Sequence, residues 1–140
     1  MPNLTSRSPN RSQERLGPQG APTGCLLTTH VLDTMHGSPA GGMQVKFFKV
    51  DGDHAILIKT LHLNDDGRSD VPLLSDTQMQ VGKYRLVFCV GDYFKGRLVI
   101  LPEPAFLDEV PLDFGIADVT AHYHVPLLTS PWSYSTYRGS

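Results

Sequence analysis

Val110-Pro111-Leu112-Asp113-Phe114-Gly115-Ile116-Ala117-Asp118 alternates apolar with small or polar residues more cleanly than any other stretch of this 140-residue chain. A period of two puts Val110, Leu112, Phe114 and Ile116 on one side of an extended backbone. The stretch therefore predicts a strand with one buried and one wet face. The reading extends outward both ways. Residues 123–129 and 133–138 predict two more strands, and residues 82–90 alternate through Tyr84, Leu86, Phe88 and Val90. Residues 43–50 and 55–63 form a predicted hairpin around Asp51-Gly52-Asp53, because Asp-Gly suits the positive φ of a tight turn. Residues 26–32 are β-branched and apolar. After the turn Asn64-Asp65-Asp66-Gly67, residues 68–70 predict a short edge strand. One helix is expected over residues 92–99, capped by Asp92 and stopped by Pro102 and Pro104. Eight short strands with frequent turns predict an all-β sandwich of two sheets.

Composition narrows the function classes. The net charge is −2, with no basic block, which argues against nucleic acid as a partner. No apolar run approaches the ~18 residues a membrane span needs. Residues 1–24 differ from the rest. Arg7, Arg11 and Arg15 against Glu14 give them +2, leaving −4 for residues 25–140. They hold four Pro and three Gly, and no aromatic or β-branched aliphatic residue, so they predict a disordered tail ahead of one domain, residues 25–140. The tail lacks the apolar run of a signal peptide. Arg15-Leu16 resembles the start of a peroxisomal signal, but Pro22 stands where that signal wants His or Gln. A cytoplasmic home is expected, with the peroxisome as alternative. Cys25 and Cys89 read as reduced thiols without a base beside them.

Polar residues inside predicted strands carry the chemistry. His30 sits mid-strand. His122 and His124 lie two apart, on one face and roughly 6.6 Å apart along the strand. Two imidazoles at that spacing can reach one metal ion, but no third ligand is close in sequence, so no metal is expected. His36, His54 and His62 fall in or beside turns and read as surface residues.

Three blocks of sequence then resemble one family. Leu27-Thr28-Thr29-His30-Val31-Leu32-Asp33-Thr34 with Gly37-Ser38-Pro39-Ala40 looks like the first signature of the transthyretin-like family. His122-Tyr123-His124-Val125-Pro126-Leu127-Leu128 with Ser130-Pro131 looks like the second. Tyr134-Ser135-Thr136-Tyr137-Arg138-Gly139-Ser140 resembles the terminal motif of the enzymatic branch, the 5-hydroxyisourate hydrolases. The resemblance implies a sandwich of two four-stranded sheets with one short helix, assembled as a homotetramer, a dimer of dimers. It implies hydrolysis of 5-hydroxyisourate, in urate degradation, to 2-oxo-4-hydroxy-4-carboxy-5-ureidoimidazoline, without a cofactor. The family's functional set maps onto His30, Arg68, His124 and Tyr137-Arg138-Gly139-Ser140. His30, Arg68, His124 and Ser140 would be catalytic, and Tyr137, Arg138 and Gly139 would join His30 and Arg68 in binding substrate. The alternative is a carrier of small apolar ligands, the family's other branch, which lacks these histidines and this ending. Thr129, Trp132-Ser133 and residues 98–108 depart from the family pattern outside the catalytic set, where they bear on substrate fit.

Residue chemistry agrees with hydrolysis. Imidazole titrates near ~6.5 and can deprotonate a water at neutral pH. A guanidinium offers a planar fork to carbonyl and ring-nitrogen edges. No Ser or Cys has a base beside it, so direct attack by water is expected over a covalent route.

Overall fold

Two β-sheets face each other across one apolar core in the computed structural model, which describes residues 25–140. The proposed tail, residues 1–24, lies outside the described residues. The first sheet runs β2 (Ser38–Pro39), β1 (Leu26–Asp33), β8 (Tyr123–Thr129), β9 (Tyr134–Thr136), with β5 (Leu74–Ser75) pairing the other end of β1. The second runs β4 (His54–His62), β3 (Gln44–Asp51), β6 (Gly82–Phe88), β7 (Val110–Ile116). All pairs are antiparallel except β1 with β8. Among the described residues one α-helix, α1 (Val90–Gly96), follows β6, and a three-residue 3-10 turn (Asp76–Gln78) follows β5.

The expectation of two four-stranded sheets is corrected to five strands and four. The extra strands are two-residue pieces, β2 and β5, too short to leave a periodicity in the sequence. The predicted strand at residues 68–70 is a lone bridge between Arg68 and His30. The Asn64 side chain accepts the N–H groups of Asp66 (2.9 Å) and Arg68 (3.2 Å), which ties this segment into its own turn. The helix begins two residues before Asp92, with Cys89 at its cap position. That start buries Val90, Tyr93 and Phe94, and Leu98 at φ 63° ends the helix before residue 99. β9 is shorter than predicted: the Ser130–Ser133 turn takes Ser133, and the strand stops at Thr136, after which the chain pairs with β8 again only at the Gly139–His124 bridge.

The period-two stretch behaves as read. Val110 and Ile116 are buried, Leu112 and Phe114 are partly buried, and Pro111, Asp113 and Gly115 are exposed. Opposite it, Tyr84 packs between Phe47 and Phe114 at ring distances of 5.6 and 6.0 Å, and its hydroxyl donates to the Gln80 carbonyl.

One buried charge ties helix to sheet. Asp33, at the end of β1, is wholly buried. It accepts hydrogen bonds from Tyr93 Oη (2.7 Å) and the His36 backbone N–H (2.9 Å). Its carboxylate also lies 2.5 Å from the His36 ring and 3.6 Å from Arg97. Burial pushes this carboxyl up, but the bonds from Tyr93 and His36 outweigh that and hold it below the usual range. Burial, then the bond to Asp33, lifts Tyr93 to about 12. Asp33→Ala strands these buried donors. It is expected to cost about 3 kcal/mol, read as a lower denaturant midpoint with an unchanged slope.

Candidate active site

β1 and β8 are 96 residues apart in sequence yet pair in parallel, with Thr28 opposite His124 and His30 opposite Pro126. Along β1 the odd positions Leu27, Thr29, Val31 and Asp33 are buried, so Leu26, Thr28, His30 and Leu32 face outward. His124 shares that outer face. Its ring lies 6.5 Å from that of His30, centroid to centroid, with the planes 22° apart. A water or one polar edge of a small molecule can bridge that separation.

Arg68 reaches the histidines through the turn before it. Gly67 adopts φ 74°, and its carbonyl accepts the Val31 N–H at 2.9 Å. A Cβ on Gly67 would stand 2.5 Å from the Val31 carbonyl oxygen, so only glycine lets the turn lie this close under β1. The following residue is thereby bridged to His30.

The C-terminal segment is strapped to β8 from the other side. His124 N–H donates to the Gly139 carbonyl (3.2 Å) and Gly139 N–H to the His124 carbonyl (2.7 Å). A Cβ on Gly139 would come within 3.1 Å of the His124 ring carbon Cδ2, so any larger residue would press on the ring by a few tenths of an ångström. Ser140 thus enters the wall of an open cleft of about 380 Å³, lined also by Leu26, Thr28, Arg68, His122, Tyr123 and His124. His30 stands beside this wall, against His124 and Arg68. Tyr137 and Arg138 are not in the wall. Tyr137 is exposed, and Arg138 lies over the Tyr123 ring, 4.5 Å from its centroid, while donating to the His122 carbonyl.

The electrostatics keep both imidazoles neutral. Burial, then the Arg68 and His30 charges, brings His124 down to about 4. Burial and Arg68 also lower His30, with the Asp66 carbonyl and carboxylate opposing them. A neutral imidazole holds a lone pair ready to take a proton. Four residues of the cleft wall, Leu26, Thr28, His122 and Tyr123, lie outside the set expected from sequence. Thr28 Oγ1 lies 2.8 Å from His124 Nδ1, and the Leu26 N–H donates to His122 Nδ1 at 3.1 Å. The parity of β1 placed Thr28 on the face of His30, but its partner 96 residues away was invisible without the strand pairing. No group of three metal-ligating side chains occurs among the described residues. Cys89 is buried, and burial followed by the Glu109 charge raises its thiol, which makes it a poor nucleophile.

Residues 27–139 match the model of the HIUase/Transthyretin family. The chain belongs to this family. Among its members, 5-hydroxyisourate hydrolase 2 of Rhizobium meliloti (strain 1021) is 57% identical over 114 residues, covering 81% of this chain and 95% of that one. The solved structure of Klebsiella pneumoniae 5-hydroxyisourate hydrolase aligns with a TM-score of 0.64 at 30% identity, over 83% of this chain and 99% of that one. The crystal structure of (S)-allantoin synthase aligns with a TM-score of 0.79 at 43% identity, over 84% of this chain; the chain spans only 44% of that protein. The family fold is the sandwich described above, and no helix among the described residues is long and apolar enough to cross a membrane.

Proposed function

We propose that this protein hydrolyses 5-hydroxyisourate to 2-oxo-4-hydroxy-4-carboxy-5-ureidoimidazoline, a step of urate degradation. The observation that carries the reading is the pair of imidazoles stacked 6.5 Å apart beside Arg68 at the cleft, in a chain 57% identical to a protein named for this activity. One imidazole of the His30–His124 pair takes a proton from water as its oxygen adds to the ring carbonyl carbon. That proton is relayed through the other imidazole to the ring nitrogen as the C–N bond breaks, leaving a ureido group and a carboxylic acid that ionises to the carboxylate. Arg68 faces the carbonyl edge and bears the charge that grows on its oxygen. Ser140, in the cleft wall with His124 and Arg68, completes the proposed catalytic set. Tyr137, Arg138 and Gly139 form the proposed substrate-binding segment: Gly139 is bridged to His124, with Arg138 on Tyr123 and Tyr137 exposed beside it. A carrier of apolar ligands fits less well, because such a ligand would cover the Arg68 guanidinium and the free ring nitrogen of His124 without offering either a partner.

The test generates 5-hydroxyisourate from urate in situ and follows its absorbance decay. Decay faster than the spontaneous rate supports the reading, and no acceleration overturns it. The pH profile has a definite sign. Both histidines are lowered, so each stays neutral above its pKa and is lost as a base only when the pH falls through it. The acid limb of kcat/KM is expected below the ordinary imidazole value of ~6.5, reaching toward about 4 for His124. A limb at or above 6.5 in the measured profile would contradict the assignment.

The assembly belongs to the same proposal. β7 and β9 are edge strands, and the histidine-bearing face of the first sheet is only half covered. Pairing of edges and of that face between copies would give a homotetramer, a dimer of dimers, around a shared cleft. The proposed compartment is the cytoplasm, with the peroxisome as the alternative.

A further inference from the structure

We infer that Thr28 is a positioning residue for the reaction, acting through His124. The inference rests on the hydrolase reading. The observation behind it is the 2.8 Å contact between Thr28 Oγ1 and His124 Nδ1.

Thr28 stands directly opposite His124 in the parallel β1–β8 ladder, so the two side chains leave the same face side by side. Threonine is β-branched and stiff about χ1, which makes its hydroxyl a fixed post. With Nδ1 held there, His124 presents Nε2 to the cleft. The neighbouring histidine is held the same way, its Nδ1 accepting the Leu26 N–H. Successive outward positions of β1 thus take the Nδ1 atoms of both histidines of β8.

A hydroxyl suits His124 better than a backbone N–H would. A backbone N–H can only donate, so it would oppose a proton on Nδ1. The Thr28 hydroxyl donates to a bare Nδ1 or accepts from a protonated one. In the imidazolium both ring nitrogens carry protons, and Thr28 Oγ1 then accepts the Nδ1–H in a charge-assisted bond. The charged groups facing His124 are unhelpful to that state: Arg68 opposes it, and so does His30 when protonated. Of the other lining residues, Leu26, His122, Tyr123 and Ser140, none makes a hydrogen bond to the His124 ring among the described residues. Thr28 is therefore the side chain that supports His124 as it takes up a proton and holds the ring in line when it gives the proton back.

Thr28→Val removes the hydroxyl while keeping shape and β-branching. It is expected to lower kcat about 10- to 100-fold, the size of losing a hydrogen bond to a charged group, with KM within about twofold. Thr28→Ser restores the hydroxyl and should return kcat to within about threefold of the parent. A second measurement needs no substrate: titration of His124 followed by NMR should move further down in Thr28→Val and stay in place in Thr28→Ser. Parent-like kcat in Thr28→Val, equal loss in the two variants, or an unmoved His124 titration each overturns the inference. Failure of the parent protein to turn over 5-hydroxyisourate overturns the hydrolase reading instead, and the titration still decides whether Thr28 holds His124.

Discussion

Replacing His124 with Ala is expected to cut kcat for 5-hydroxyisourate about 10²- to 10⁴-fold, the contribution of a positioned general acid or base. The fold should survive. His124 lies on the outer, half-covered face of β8, and its two hydrogen bonds to Gly139 run through the backbone, which alanine keeps. Loss of the ring removes the partner stacked on His30 and leaves Thr28 Oγ1 facing the cleft. Absorbance decay of substrate gives the rate, and a thermal melt reports the fold. A folded variant within tenfold of the parent rate would take His124 out of the chemistry.

Deleting Arg138, Gly139 and Ser140 should reduce activity to the spontaneous background. The deletion strips the strap from β8: both hydrogen bonds between Gly139 and His124, the Arg138 guanidinium over Tyr123, and the Ser140 side of the cleft. None of these residues belongs to the core, where Leu27, Val31, Val45, Phe47, Leu86 and Phe88 are wholly buried. Stability should fall by only about 1–3 kcal/mol, the worth of a few partly exposed hydrogen bonds. A shortened protein that melts near the parent temperature yet turns over at the full rate would show the segment to be dispensable.

The strands at residues 110–116 and 123–129 were legible because side-chain parity is a local property: each residue's face follows from its neighbour's. The hairpin at Asp51-Gly52-Asp53 was legible for the same reason, its turn chemistry being written in three adjacent residues. The helix start was misread. Asp92 looked like a cap, but burial of Val90 and Phe94 at the end of β6 pulled the helix two residues earlier. The two-residue strands β2 and β5 were missed because their existence depends on β1 lying beside them.

The sequence by itself determined the faces of the strands, the sandwich they make, the family, and the set of imidazoles and guanidinium from which a site could be built. Tertiary structure alone decided which of these meet. The parallel pairing of β1 with β8 set Thr28 against His124, Gly67 let the turn close under β1 beside Arg68, and Gly139 drew the C-terminal segment onto β8. The physical reason is range. Periodicity and turn chemistry act over a few residues, whereas pairing segments 96 residues apart is settled by the packing of the whole core, which no short stretch of sequence contains.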